Sequence, residues 1–291
     1  MKKAYRENGE NAVIHGNSGR HPLNYTDEKL REKIISLKKT EIYNGANFTH
    51  FRELLEEYEG IKISYSSLSR ILKRAGIISK HSHRTEGKCF RRRKRKSALG
   101  EMLQGDASSY DWFESGQRCT LHGFIDDATG IITGLYFCLN KCLMGYLEVL
   151  RQTLTKYGIP IEFYADKAGI FNVNNKKEEN WTIEEMLAGK PLDKTQFAVI
   201  VDEQLGIRMI STHTPQAKGR IERLWGTLQD RLPVWFKKHG ITNMEQANLH
   251  RHNMCGQVFA FSGVFLVSSR FSPSVQVFSS VVSVPGLLLM G

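Results

Sequence analysis

Three acidic residues that lie far apart in the sequence are the first candidates for chemistry. Asp106 and Asp166 each end an apolar run with the character of a β-strand, at residues 99–106 and 161–166. Glu222 lies in a long amphipathic segment, and helical spacing places it beside the apolar stripe of the predicted helix. If the two strands are neighbours, we expect the three carboxylates to converge at one cleft.

Converging carboxylates predict a metal site. Like charges in one cleft repel one another unless a cation neutralises them. Hard oxygen ligands without His or Cys favour Mg²⁺ or Mn²⁺. Two such ions can activate an attacking oxygen and stabilise a leaving oxygen at a phosphodiester. The acidic residues therefore predict a site for two divalent ions and phosphodiester chemistry.

Length and charge limit the class of protein. A chain of 291 residues suggests about two domains. The formal net charge of +11 and the pI near 9.4 indicate a polyanionic partner, nucleic acid first, although a basic protein without that partner stays an alternative. Residues 1–10 lack the apolar core of a signal peptide, and no apolar run is long enough to span a bilayer. We expect a cytoplasmic protein with no membrane contact.

The cysteines do not predict a disulfide framework. Five are present, which is an odd number, and they are scattered along the chain. This usage fits a reducing compartment. Cys138 and Cys142 have the spacing of half a zinc site, but no second Cys or His pair follows, so we predict no zinc.

Residues 26–80 predict a helix-turn-helix region, preceded by an irregular arm at residues 1–25. Three short amphipathic segments follow one another, and Ser64 can cap the third. In that segment Leu68, Ile71 and Leu72 are expected to face inward. The opposite face carries hydrogen-bonding and basic side chains suited to the major groove: Tyr65, Ser66, Ser69, Arg70, Lys73 and Arg74. The alternative is a small helical bundle with a solvated basic face.

Residues 81–98 predict a basic linker. They contain six consecutive cations: Arg91, Arg92, Arg93, Lys94, Arg95 and Lys96. These charges repel one another, so we expect the run not to pack. Beside a DNA-binding region they would neutralise phosphates without reading sequence, and the alternative is a solvated linker with no specific role.

Residues 99–248 alternate predicted strands and helices. Strands are expected at residues 99–106, 119–125, 131–138, 161–166 and 207–212, and helices at 143–157, 196–205 and 215–237. Asp126 and Asp127 lie in a predicted hairpin turn, where aspartate usually bonds its own backbone, so we predict a structural role. Trp112 is expected in the core, Asp202 and Glu203 at the surface, and residues 172–194 in a loop.

Several motifs in this order carry a resemblance to a known family. They are Leu103-Gln104-Gly105-Asp106-Ala107-Ser108, Trp112-Phe113, Ile125-Asp126-Asp127-Ala128-Thr129-Gly130, Tyr157-Gly158-Ile159-Pro160, Tyr164-Ala165-Asp166, Gly169-Ile170-Phe171 and Thr214-Pro215-Gln216-Ala217-Lys218-Gly219-Arg220-Ile221-Glu222-Arg223-Leu224-Trp225. With them, residues 13–248 resemble DDE transposases and retroviral-type integrases, in particular bacterial insertion-sequence elements of the ISNCY kind.

The resemblance implies a fold and an activity. The fold is α/β, an RNase H-like mixed five-stranded sheet flanked by helices, preceded by the all-α helix-turn-helix region. Asp106, Asp166 and Glu222 are then the DDE triad, which holds Mg²⁺ or Mn²⁺. Water nicks a transposon end, and the freed 3′-hydroxyl attacks target DNA by direct transesterification. The expected partners are double-stranded DNA and further copies of the chain, with no small-molecule substrate, in the nucleoid of a bacterial cytoplasm.

Other residues at the site have two interpretations. We expect Lys218, Arg220 and Arg223 to hold DNA phosphates near the metals, and the alternative is a solvated helix start. The same core also fits an RNase H-like nuclease, or a catalytically inactive remnant or repressor that binds the element's DNA.

Residues 249–291 depart from the family pattern. They are apolar and Ser-rich, without a consistent period, and contain Arg270 as their one charged residue after Arg251. We interpret this tail as out-of-frame sequence, and the alternative is a hydrophobic strand pair or a membrane-surface segment.

Overall fold

The computed structural model describes Arg6 and residues 25–79, 94–165, 169–171, 194–211 and 219–251. The chain separates into two compact units, residues 1–84 and 85–291. Four predicted segments lie wholly or mostly outside the described residues: the arm, the linker as far as Arg93, the loop at 172–193, and the tail from residue 252.

The first unit contains the three predicted helices. They are α1 (Glu28–Lys39), α2 (Phe48–Tyr58) and α3 (Tyr65–Arg74). The Ser64 side chain accepts a hydrogen bond from the backbone N–H of Ser67, so the predicted cap of α3 is confirmed. The buried side chains that pack this unit include Ile34, Phe51, Leu55, Leu68 and Leu72. The inward stripe of α3 is therefore as expected.

The second unit is built on a mixed five-stranded sheet. Its strands are β1 (Met102–Tyr110), β2 (Cys119–Asp126), β3 (Ile132–Cys138), β4 (Glu162–Ala165) and β5 (Arg208–Ser211), in the spatial order β3-β2-β1-β4-β5. β1, β2 and β3 form an antiparallel meander. β4 runs parallel to β1, and β5 runs parallel to β4. The predicted mixed five-stranded sheet is confirmed.

Four helical segments accompany the sheet. They are α4 (Leu143–Tyr157), α5 (one α-helical turn at Gln196–Ala198 continued by a π-helix at Val199–Gln204), α6 (Gly219–His239) and α7 (Met244–Leu249). The observed α4 has the predicted bounds, because Gly158 adopts a positive φ of 80° at its end. The sequence does not predict the π-helical continuation of α5.

Alternation along the strands builds a core on each face of the sheet. One face packs on α6 and α7, and its buried residues include Leu121, Ile125, Leu135, Ile221 and Leu228. The other face packs on α4 and α5, and its buried residues include Leu103, Phe124, Phe163, Val149 and Phe197. Successive residues of a strand point to opposite faces, so a sheet covered on both sides is apolar at nearly every position.

Two expectations are wrong in detail. The predicted end of β1 is Asp106, but the strand continues to Tyr110, because its polar last residues pair with the start of β2, as Ser108 does with Leu121. Lys96 belongs to the run that is expected not to pack, yet its Nζ lies 2.8 Å from a buried carboxylate oxygen of Glu162. The buried anion favours a cation that can neutralise it, and this outweighs repulsion within the basic run.

Candidate active site

Asp106 lies in the middle of β1, beneath helix α6. The Nε1–H of Trp225 on α6 points to its Oδ2 at 3.4 Å. The Nζ of Lys141, in the connection between β3 and α4, lies 3.7 Å from its Oδ1. The Asp106 side chain is 18% exposed. A partly buried carboxylate with a cation and an N–H donor beside it is a favourable place for negative charge.

Gly123 makes room for the indole of Trp225. It is the partner of Asp106 in the antiparallel β1–β2 pair. A Cβ at this position would lie 3.0 Å from Cη2 of Trp225 and 2.9 Å from Cδ2 of Leu135, closer than side chains normally pack. The absence of a side chain at Gly123 therefore lets the indole lie over the sheet and reach Asp106.

Helix α6 follows β1 through three evenly spaced contacts. Gln104 Oε1 accepts a hydrogen bond from the backbone N–H of Ile221 at 3.3 Å. Trp225 contacts Asp106 next, and Gln229 Nε2 donates to Ser108 Oγ at 3.1 Å. From one contact to the next, the strand advances by two residues, about 6.7 Å. The helix advances by four residues, about 6 Å. Since these distances nearly match, the helix stays in register with the strand.

Glu222 lies in the first turn of α6, directly after Ile221, and is exposed. Asp166 lies outside the described residues, and β4 ends at the residue before it. The structure therefore brings Asp106 together with the helix that carries Glu222. Within the described residues, no group of three or more His, Cys, Asp and Glu side chains is arranged to hold a metal ion.

Asp126 and Asp127 have the predicted structural role. Both are buried, with 0% and 2% exposure. Asp126 Oδ2 accepts hydrogen bonds from the backbone N–H and the hydroxyl of Thr129, which closes the turn. Asp127 accepts from the Lys96 backbone N–H through Oδ2 and from Gln104 Nε2 through Oδ1. Their oxygens are thus committed to backbone and side-chain donors of the fold.

The predicted DNA-contacting residues have different surroundings. On α3, Tyr65, Ser66, Arg70, Lys73 and Arg74 are exposed and Ser69 is half-buried. Lys94 and Arg95 are exposed, whereas Arg91, Arg92, Arg93 and Lys218 lie outside the described residues. In α6, Arg223 is exposed and Arg220 is half-buried.

Arg220 is engaged with the β2–β3 turn. Its guanidinium donates to the Asp126 carbonyl at 3.3 Å and lies against Gly130, where a side chain would collide with it. Burial lowers the pKa of Arg220 from its usual value. Arg223 is therefore the more accessible of the two cations that flank Glu222.

The remaining candidates are structural. Trp112 is fully buried, as expected for a core residue. Asp202 and Glu203 are exposed, and both pair with Lys194. Burial raises the pKa of the Cys138 thiol to about 12, with Cys142 as the next cause, so this thiol is protonated at neutral pH.

Four residues near Asp106 are absent from the set that the sequence predicts for the site: Gln104, Gly123, Lys141 and Trp225. The sequence could have indicated Gln104, because it lies two residues before Asp106 and therefore shares the same face of the strand. Trp225 has helical spacing with Glu222 but belongs to the predicted apolar stripe. Only the tertiary structure brings Lys141 and Gly123 to Asp106.

The sheet order and strand directions are those of an RNase H-like core. Similar solved structures include a chain of the simian T-cell lymphotropic virus intasome in complex with PP2A regulatory subunit B56 gamma, at 14% identity and a TM-score of 0.42 over 83% of this chain and 71% of that one. The HTLV-2 integrase catalytic core domain in complex with magnesium matches at 14% identity and a TM-score of 0.37, over 59% of this chain and 92% of that one. No family model matches the chain.

Two sequence relatives are more similar to the chain. The transposase for insertion sequence IS1202 of Streptococcus pneumoniae is 36% identical, over 84% of this chain and 57% of that protein. The putative transposase y4bF of Sinorhizobium fredii is 33% identical, over 82% of this chain and 50% of that protein. The chain is a homologue of insertion-sequence transposases, and it spans about half the length of these relatives. Among its described helices, none combines the length and apolar character needed to cross a bilayer.

Proposed function

We propose that the chain is a DDE transposase that binds transposon-end DNA and catalyses metal-dependent strand cleavage and strand transfer. The observation that carries the proposal is the contact between Asp106 and the helix of Glu222, made by Trp225 at 3.4 Å. The spacing of Asp166 adds support. Gln104 pairs with Tyr164 in the parallel β1–β4 register, and Asp106 and Asp166 each follow two residues later.

The proposed metal ligands are Asp106, Asp166 and Glu222. All three offer carboxylate oxygens, the ligands that Mg²⁺ and Mn²⁺ prefer. Asp106 has a cation nearby already, since Lys141 Nζ lies 3.7 Å away, and this fits a carboxylate whose charge needs compensation. The HTLV-2 integrase core was solved with magnesium. We propose two ions, by the usual logic of in-line phosphoryl displacement.

Each described residue has a definite task in this scheme. Trp225 donates its N–H to one oxygen of Asp106 and Lys141 lies beside the other, so these two side chains orient the carboxylate. Glu222 is exposed in the first turn of α6, the helix whose Trp225 contacts Asp106. Bound divalent metal would supply the acidity that turns water or a DNA 3′-hydroxyl into a nucleophile at neutral pH.

The proposed DNA contacts come from both units. The exposed side chains of α3 are suited to base edges and phosphates, and Arg223 stands beside Glu222 for a phosphate near the reacting bond. We place the helix-turn-helix region at residues 26–80, the basic linker at 81–98 and the catalytic core at 99–248. We further propose that copies of the chain assemble on DNA in the bacterial nucleoid.

The test is a strand-transfer assay on DNA that carries the element's ends, with Mg²⁺. We expect the wild-type chain to nick the end and join it to target DNA. Asp106→Asn should reduce both steps by roughly a thousandfold or more, because it removes a ligand charge. Binding of the end DNA, measured by fluorescence anisotropy without Mg²⁺, should stay unchanged.

The other outcomes contradict the proposal. Cutting without joining would indicate a nuclease, and end binding without either step would indicate a repressor or an inactive remnant. Full joining activity in Asp106→Asn would show that the triad is assigned wrongly.

A further inference from the structure

Gln104 is a buried amide directly under the start of the described part of α6. Its residue exposure is 1%. Its two amide ends bind different partners: Nε2 donates to Asp127 Oδ1 at 2.8 Å, and Oε1 accepts from the backbone N–H of Ile221 at 3.3 Å. A buried amide with its donor and acceptor both satisfied has one favourable orientation, because a flipped amide would face each partner with the wrong group.

The partner of Gln104 is itself fixed. Asp127 is 2% exposed, and its Oδ2 accepts a hydrogen bond from the Lys96 backbone N–H at 2.9 Å. The Asp127 backbone N–H donates to the Met102 carbonyl on β1 at 2.9 Å. The carboxylate therefore has little freedom to move relative to the sheet, and neither has the amide it holds.

We infer that Gln104 is a positioning residue that sets the position of Glu222 relative to Asp106, an inference that rests on the proposed function. Ile221 directly precedes Glu222, so the hydrogen bond to its backbone N–H fixes the backbone next to Glu222. Gln104 also shares a strand face with Asp106, two residues away. One side chain thus links the strand of the first acid to the helix turn of the third.

The test is an exchange of donor and acceptor between Gln104 and Asp127. Gln104→Glu keeps the acceptor for Ile221 but places two carboxylates against each other. Adding Asp127→Asn restores a matched pair, since the new amide can donate to the new carboxylate while its oxygen still accepts from the Lys96 backbone N–H. Mn²⁺ affinity of the full chain, measured by calorimetry well below the unfolding temperature, is the readout.

We expect Gln104→Glu to weaken Mn²⁺ binding roughly tenfold, the usual effect of losing support behind a metal ligand. The double variant should recover to within about threefold of wild type. Gln229→Met is the matched control. It removes an amide hydrogen bond from the same helix to the same strand, about two turns beyond Glu222. It should leave Mn²⁺ affinity unchanged.

A second variant covers the case in which Gln104→Glu does not fold. Gln104→Met removes both hydrogen bonds without adding charge, and we expect the same loss of affinity together with faster hydrogen exchange at the Ile221 amide.

Failure of this inference can be told apart from failure of the proposed site. If the folded Gln104 variants bind Mn²⁺ as tightly as wild type while Glu222→Gln weakens binding, Gln104 does not position Glu222 and the site stands. If Asp106→Asn and Glu222→Gln also leave Mn²⁺ binding unchanged, both are wrong.

Discussion

At the scale of single residues, the proposed site depends on a glycine as much as on its acids. Asp106 can accept from Trp225 only because Gly123, its cross-strand partner, has no side chain under the indole. The neighbouring Leu135 closes the other side of that space. Glycine usually weakens a strand, so its presence in a central one points to a close approach of this kind.

Gly123→Ala should displace the indole and destabilise the fold. Overpacking of this type costs about 1–3 kcal/mol, and we expect a loss of that size in the free energy of unfolding, measured by urea denaturation. Gly226→Ala is the control, because Gly226 lies exposed within α6 with nothing near its missing Cβ. It should stabilise the chain by about 0.5–1 kcal/mol. Equal effects of the two substitutions would contradict the proposed close approach.

His122 is a buried base on the opposite face of the sheet. It is fully buried, its Nε2 accepts the Cys142 backbone N–H at 3.2 Å, and its ring lies against Gly145 and Tyr146 of α4. Burial lowers its pKa to about 4 from the usual 6.5, and the Lys141 cation acts in the same direction, whereas Asp106 raises the pKa.

Stability should therefore fall as the solution is acidified. The folded protein favours neutral His122 more than the unfolded chain does, so its contribution is complete above pH 6.5 and is lost as the pH falls from 6.5 to about 4. The full loss is roughly 3 kcal/mol. Urea unfolding at pH 7 and pH 5 measures the first part of this loss, roughly 2 kcal/mol. His122→Gln, which keeps an acceptor but cannot titrate, should flatten this dependence, and an unchanged slope would contradict the assignment.

At the scale of elements, side-chain hydrogen bonds cover part of the outer edge of the sheet. β3 is an edge strand, and the side chain of Asn248 from α7 pairs with it as another strand would. Asn248 Oδ1 accepts from the Phe137 backbone N–H at 2.9 Å, and its Nδ2 donates to the Phe137 carbonyl at 3.1 Å. This covers backbone groups that an exposed edge would offer to other chains.

Asn248→Ala should expose this part of the edge. We expect a loss of about 1–3 kcal/mol in unfolding free energy, because two backbone groups lose their partner together. Leu249→Ala is the control: Leu249 is 78% exposed on the same helix, so its replacement should change stability by less than about 0.5 kcal/mol. The two variants unfolding at the same urea concentration would rule out this role for Asn248.

The sequence predicts the bounds of an element when nearby residues mark its ends. It does not predict them when they depend on pairing with a distant strand. Helix α4 has the predicted bounds, because Gly158 ends it within a clear apolar period. The end of β1 differs from the prediction, since the polar residues after Asp106 join the sheet only through their pairing with β2. Likewise the sequence offers Asp106 and Glu222 as candidates, whereas the proposed role of Gln104 depends on a contact with Ile221 across 117 positions.

At the scale of the whole molecule, the basic residues and the acidic residues have different roles. The net charge of +11 suits a polyanionic partner, and α3 of the first unit presents an exposed basic face. In the second unit, buried acids such as Asp126 and Asp127 serve the fold, while Asp106 and Glu222 remain at least partly accessible. Function is therefore proposed for the acids that remain accessible, and not for those buried in the fold.

The most direct test of the central proposal is metal-directed cleavage of the protein itself. Fe²⁺ in place of Mg²⁺, with ascorbate and peroxide, generates radicals that cut the backbone close to the bound ion. We predict cuts near residues 106, 166 and 222 in one chain, suppressed by excess Mg²⁺ and lost in Asp106→Asn. Cuts near residue 106 alone, or a pattern unaffected by Asp106→Asn, would show that the three acids do not share a metal site.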